Sequence, residues 1–248
     1  PTHCVTRLQG LKDKMPNAQI DWIKGCDIEN EFIMIPKMSL VKANDKDGFY
    51  AEYFASQDWT GKTVRTDNLT SINMMTDGGY GFGEGVPSSD FTARYTGTLE
   101  SDFDGQLCIS ISGTQYVVKV NGETLAEFPK KLSFEFKPGM ELTEAQRQEL
   151  ANSGMGFGRR GPREIYKDVK KGDKCDIEIL YKSATAGQNS RLTIDVTERR
   201  KAEFDELKKQ VMAYDAVIYA GGITSSQEGE GHERATIELP AVQQRCLK

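Results

Sequence analysis

The sequence predicts a mainly β protein, an antiparallel β-sandwich inserted in a partial α/β domain. Three observations carry this. Short runs of alternating apolar and polar residues recur between about residues 47 and 197, separated by turn residues. One of these runs is followed directly by Asn121-Gly122, the preferred centre of a two-residue hairpin because both positions adopt φ > 0. Towards both ends of the chain the pattern changes to helical spacing joined to a single apolar run, which is the alternation of an α/β fold.

The elements follow in order. Residues 5–15 have helical spacing with Leu8 and Leu11 on one side, and Pro16-Asn17 ends the helix. Residues 19–24 read as a strand through Ile20, Trp22 and Ile23, closed by Gly25. Residues 49–54 form the first strand of the β-rich zone. In Phe91-Thr92-Ala93-Arg94-Tyr95 the apolar side chains alternate with Thr92 and Arg94. Leu107, Ile109 and Ile111 share one face, and Cys108, Ser110 and Ser112 take the other. Residues 116–120 run into the Asn-Gly turn. Phe134 and Phe136 alternate, as do Ile177, Ile179 and Tyr181, and then Leu192, Ile194 and Val196. Two stacked antiparallel sheets bury such faces against each other.

One stretch interrupts the strands. Thr143-Glu144-Ala145-Gln146 has the spacing of a capping box and starts a short helix to about Ala151. Beyond it, Gly154, Gly156, Gly158 and Gly161 are interleaved with Phe157, Arg159 and Arg160. This segment reads either as an exposed excursion or as a flap whose arginines and Phe157 meet a sugar. Past residue 197, Phe204, Leu207, Val211 and Met212 mark the apolar stripe of a helix. Residues 216–220 are an apolar run of the kind found in a buried parallel strand. A polar loop covers 224–234, and Glu238-Leu239-Pro240 opens a final helix with proline near its first turn. The layout expected is a first α/β flank at 1–32 (helix, then strand), an inserted sandwich at 47–197, and a second flank at 198–248 (helix, strand, loop, helix).

Composition narrows the function. With 248 residues the chain is long enough for one or two domains with a sizeable core. Mean hydropathy is -0.55, and no stretch approaches the ~20 apolar residues that a membrane-spanning helix needs, so no membrane partner is expected. A net charge of -5 argues against nucleic acid. The five cysteines contain no C-x-x-C pair, which predicts buried or half-buried thiols rather than zinc or redox chemistry. Only His3 and His232 are present, so a multi-histidine metal site is excluded. The glycine-rich run from residue 79 to 85 carries no lysine and no helix pattern follows it, so it is not a phosphate loop. The chain opens on Pro1, so a cut or processed chain is expected.

The chemistry concentrates in Gln227-Glu228-Gly229-Glu230-Gly231-His232-Glu233-Arg234. Gly229 and Gly231 give the chain around Glu230 backbone angles closed to other residues. Glu228 and Glu233 would raise the pKa of a carboxyl beside them, and Arg234 would lower it. On its residues alone this is a solvated acidic loop.

The middle zone resembles the protective-antigen fourteen-kilodalton domain, a β-sandwich insert of many carbohydrate-active proteins. The matching residues are Gly48-Phe49-Tyr50-Ala51-Glu52-Tyr53-Phe54, Val86-Pro87, the run from Phe91 to Leu99, and Val118-Lys119-Val120-Asn121-Gly122-Glu123. Some relatives hold calcium with paired aspartates, but Gly113-Thr114-Gln115 stands at that place here. The flanks are similar to the carboxy-terminal α/β domain of glycoside hydrolase family 3. They match it through Val5-Thr6-Arg7-Leu8-Gln9-Gly10-Leu11, Lys24-Gly25-Cys26-Asp27, the run from Ala216 to Gly222, and Glu238-Leu239-Pro240-Ala241-Val242-Gln243.

In β-glucosidase-like members of that family the polar loop reads Ser/Gly-Glu-Gly-Tyr-Asp-Arg and its glutamate is the general acid/base. The resemblance therefore implies that role for Glu230, with His232 and Glu233 standing where the family has tyrosine and aspartate. It implies sugar contacts at Phe157, Arg159, Arg160, His232 and Arg234. Retaining glycosidases use two carboxyl groups ~5 Å apart. The family's nucleophile is an aspartate of a (β/α)-barrel, which needs about 250 residues of its own. Gln57-Asp58-Trp59 only imitates that nucleophile's surroundings, and Trp59 reads as packing or a minor ligand contact. The resemblance implies a retaining, exo-acting β-glycosidase as parent protein, periplasmic or secreted, with a carbohydrate ligand, a barrel domain as partner, and neither metal nor organic cofactor. The chain alone is expected to be inactive. The alternative is a non-catalytic carbohydrate-binding module.

Overall fold

The computed structural model describes residues 5–76, 81–129, 132–135, 137, 139–153, 163–224, 227, 228, 234 and 236–248. The chain divides into two compact units, one made of Pro1–Met34 with Arg200–Lys248, the other of Ile35–Arg199. The element order is α1 (Arg7–Lys14), β1 (Phe32–Pro36), β2 (Val41–Ala43), β3 (Lys46–Asp47), β4 (Phe49–Phe54), β5 (Thr63–Leu69), β6 (Ile72–Met75), β7 (Thr92–Glu100), β8 (Gly105–Gly113), β9 (Gln115–Val120), β10 (Glu123–Phe128), α2 (Glu144–Ser153), β11 (Arg163–Val169), β12 (Lys174–Lys182), β13 (Arg191–Lys201), α3 (Phe204–Val211) and α4 (Ala241–Cys246).

The fold is mainly β, as expected, with two antiparallel sheets. The smaller sheet has the order β1-β13-β8-β11, with β6 also on β13. The larger has the order β10-β9-β12-β7-β2-β3, with β4 on β7 and β5 on β4. Period-two burial explains both faces. Ile111 lies opposite Ile194, and Ile109 opposite Val196, in the small sheet. Ile177 lies opposite Val120, and Ile179 opposite Val118, in the large one. All eight belong to one apolar cluster with Phe49, Tyr53, Tyr95 and Tyr181. Sheets packed face to face over a shared core are what the alternating runs require.

The hairpin between β9 and β10 turns on Asn121 and Gly122, with φ of 53° and 80°. Asn121 does more than turn: its side-chain oxygen accepts from Asp176 N at 2.7 Å and its amide donates to Lys174 O at 3.2 Å, tying the hairpin to β12. The capping box forms as read. Thr143 N donates to Gln146 Oε1 at 3.0 Å, and Gln146 N donates to Thr143 Oγ1 at 3.3 Å.

Three differences from the sequence reading have physical causes. First, strands β1 to β3 begin before residue 47. They are only 2–5 residues long, too short to show a period, so their place is set by pairing. Second, the glycine-rich segment contributes to the core. Phe82 is 3% exposed and stacks on Tyr181 at 5.5 Å and 15°. It also meets Phe91 edge-on at 4.8 Å. Gly83 adopts φ of 112°, and a Cβ there would lie 2.4 Å from Arg65 Nε. Third, the runs at 19–24 and 216–220 form no strand among the described residues. A strand exists only with a partner to take its backbone hydrogen bonds, and neither run pairs with a described strand. Trp22, Val217 and Ile218 stand 65%, 60% and 67% exposed. Phe134 lies outside any strand, and Phe136 lies outside the described residues.

Candidate functional site

The polar loop expected to carry the chemistry belongs to the unit formed by the two chain ends. Its foundation is α4. Pro240 caps this helix, and its carbonyl accepts from Gln243 N at 2.9 Å and Gln244 N at 3.1 Å. Proline suits the place because a helix start has no use for its missing N–H. The resulting orientation buries Val242 and Gln243.

Gln243 is 1% exposed and uses its whole amide. Its oxygen accepts from Tyr219 Oη at 2.9 Å and from Gly222 N at 3.1 Å. Its nitrogen donates to Ile28 O at 2.8 Å and Gly222 O at 2.6 Å. Two acceptor and two donor sites are all that the group possesses. One side chain thus holds the stretch entering the loop to the segment at Ile28. Gly221 must be glycine here, since a Cβ would sit 2.6 Å from Gln243 Oε1 and 2.3 Å from the Tyr219 ring. Burial first, and then the Cys26 thiol beside it, push the Tyr219 phenol up to about 12.

The loop then closes on itself. Gln227 N and Glu228 N donate to Thr224 O at 3.0 and 3.2 Å, and Thr224 Oγ1 bonds to the Glu29 carboxylate. On the far side Arg234 Nε donates to Glu228 Oε2 at 2.8 Å, and its Nη1 donates to Glu238 O at 3.0 Å. Arg234, expected as a sugar contact, therefore clasps the two legs of the loop. Its charge is engaged by Glu228. Glu230, His232 and Glu233 lie outside the described residues, as do Phe157, Arg159 and Arg160.

At the base of the same unit, Arg245 binds Glu31 at 2.5 Å and holds its carboxyl below the usual carboxylate range. Ala202 N donates to Glu31 O at 2.8 Å. Both chain ends are thus knitted together around α4.

The sandwich supplies two further candidates. Asp58 is held below the usual carboxylate range by the Thr60 hydroxyl, which donates to it at 2.6 Å. Trp59, with φ of 58°, donates its indole N–H to Ala93 O at 3.1 Å and Tyr181 O at 3.2 Å. Asp58 is thus bonded within its own loop, and Trp59 ties that loop to β7 and β12. A cleft of about 420 Å³ on the larger sheet is lined by Lys42, Thr98, Lys119, Asp176 and Glu178 among others. Its charged side chains are already engaged: Lys42 pairs with Asp47, Lys119 pairs with Glu178 at 2.9 Å, and Asp176 accepts from Thr98 Oγ1 at 2.7 Å. Among the described residues no group of three or more His, Cys, Asp or Glu is placed to hold a metal ion.

Sequence reasoning assigned no role to Gln243. The available signal was a glutamine beside Val242 just after a helix-opening proline, where a solvent-facing residue was not required. Gln243→Leu leaves four polar partners without their hydrogen bonds. The expected cost is about 2 kcal/mol, read as a roughly 30-fold loss of hydrogen-exchange protection at the Gly222 amide. Unchanged protection would mean that the amide is not the fastener.

No family model matches the chain. Over its whole length it is 27% identical to a xylan 1,4-beta-xylosidase of Xylanibacter ruminicola, of which it covers 27%. In fold it is similar to the β-glucosidase of Kluyveromyces marxianus. The glucose complex of that enzyme superposes with a TM-score of 0.59 at 16% identity, over 98% of this chain and 27% of that one. A second crystal structure of it gives 0.58 at 15% identity, over 98% of this chain and 26% of that one. The chain thus resembles part of glycoside hydrolases, and it spans about a quarter of the length of the proteins it matches.

Proposed function

We propose that this chain is the portion of a retaining β-glycosidase that delivers the general acid/base, Glu230, to a sugar pocket. The nucleophile belongs to a barrel in the remainder of a longer protein. The reading keeps the family 3 α/β domain for the two chain ends and the protective-antigen sandwich for the insert between them. The sandwich borders the pocket and limits which sugar enters, with Phe157, Arg159 and Arg160 as its contacts and His232 and Arg234 as those of the loop. The ligand is a terminal β-linked sugar, xylose or glucose.

One observation carries the reading: similarity to a xylan 1,4-beta-xylosidase along 100% of the chain. The fold likeness to β-glucosidase over 98% of it agrees. The geometry of the loop base adds a physical reason. Gln243 and Arg234 fix both legs of a loop whose middle contains Glu230 between two glycines, which is how a carboxylic acid is held out from a rigid stem. The exposed Trp22, Val217 and Ile218 are accounted for if further strands of the longer protein cover them.

The test is stereochemical. The full-length protein acting on an aryl β-xyloside or β-glucoside should release the β anomer first, followed by NMR before mutarotation. Release of the α anomer first would contradict a two-carboxylate retaining mechanism. The 248-residue chain by itself should leave both substrates intact.

A further inference from the structure

The four described cysteines are free thiols. Cys108 and Cys175 are buried in the sandwich, and Cys26 and Cys246 are half-buried. The latter two come from opposite ends of the sequence and meet in one unit. Cys26 follows Gly25, and a Cβ built at Gly25 would lie 3.1 Å from Cys246 Sγ. Cys26 Sγ lies 3.9 Å from Tyr219 Oη. Burial, and next the Cys26 thiol itself, push the Cys246 thiol up to about 11. The two thiols therefore lie close together, beside the Tyr219 side chain.

We propose that Cys26 and Cys246 form an intramolecular disulfide that staples the first chain end to α4 when the protein meets a low-molecular-weight disulfide such as oxidised glutathione. The step balances. The Cys26 thiolate attacks the small disulfide and expels one small thiolate. The Cys246 thiolate then attacks the Cys26 sulfur and expels the second. One S–S bond breaks and one forms, and two electrons pass from the cysteine pair to the small disulfide. The two protons lost by the cysteines are taken up by the departing thiolates.

The staple has a structural consequence. It encloses the whole stretch 27–245, sandwich included, so it removes much of the freedom of the unfolded chain. It also fixes the segment that runs on to Ile28, whose carbonyl accepts from Gln243 at 2.8 Å. The Cys246 thiol, pushed up by burial, is a poor leaving group, which slows reduction of a bond at that sulfur. That describes a structural cross-link rather than a redox sensor, and it does not depend on the glycosidase reading.

The experiment equilibrates the full chain with oxidised and reduced glutathione, alkylates the remaining thiols, and maps peptides by mass spectrometry without reduction. A cross-linked Cys26–Cys246 peptide is expected, with a melting temperature roughly 5–10 °C above that in excess dithiothreitol. Cys26→Ser and Cys246→Ser should each abolish both the cross-link and the shift while melting like the reduced parent. Cys4→Ser should leave both in place. Cys26 and Cys246 remaining alkylatable, retaining glutathione, or pairing with Cys4 would each overturn the proposal.

Discussion

Glu230→Gln in the full-length protein is expected to lower kcat/KM on an unactivated β-linked oligosaccharide by about 10²–10⁴-fold, the range that a positioned general acid contributes. A sugar alkoxide is a poor leaving group, so bond cleavage needs a proton at the glycosidic oxygen. Glutamine keeps the size and removes that proton. The pH profile should change with it. Activity of the parent falls on the alkaline side as the acid deprotonates, and the variant should lose that limb because no carboxyl remains to titrate. Arg234 and Glu228, bonded at 2.8 Å, remain in the variant, so the loop base is not expected to unfold. Circular dichroism matching the parent would separate lost chemistry from lost structure.

Phe82→Ala is expected to carry the largest stability cost, about 3–5 kcal/mol, because a fully enclosed aromatic ring leaves a cavity that its neighbours fill only in part. Phe82 stacks on Tyr181 and touches Tyr53 and Phe91 edge-on, contacts that add about 0.5–1.5 kcal/mol per pair to area burial. Trp59 is a built-in reporter, since its indole donates to the Tyr181 carbonyl. The chain has two tryptophans, and Trp22 is 65% exposed, so Trp22→Phe leaves Trp59 alone at small cost. Urea unfolding followed by Trp59 emission should show the midpoint falling strongly with an unchanged slope. A loss below about 1 kcal/mol would mean that the ring is not part of the core.

These two residues also mark what is legible in the sequence. Leu107, Ile109 and Ile111 announce their strand because burial of one sheet face imposes a period of two. Asn121-Gly122 announces its turn because few other residues tolerate the angles, and Pro240 announces a helix start for a similar reason. Phe82 announces nothing, because it stands among glycines and its burial comes from side chains far along the chain. Gln243 misleads because a glutamine on a helix ordinarily faces water, and only the three-dimensional path of Tyr219, Gly222 and Ile28 gives its amide four partners. The run at 216–220 has the composition of a buried strand, yet Val217 and Ile218 are exposed. Composition records the environment a segment is suited to, whereas pairing depends on which other strands are present. At the loop, the family resemblance rather than the residue types makes Glu230 a candidate acid, and the clasping role of Arg234 required coordinates.

On the proposed reading, residue 230 donates a proton to a departing sugar. This is tested most directly by kcat/KM of Glu230→Gln, in the full-length protein, on aryl β-glycosides of graded leaving-group acidity. Substrates with acidic, self-sufficient leaving groups should lose little, and those with poor leaving groups should lose progressively more, so the variant's rate depends steeply on leaving group where the parent's does not. An equal loss across the series would contradict the claim.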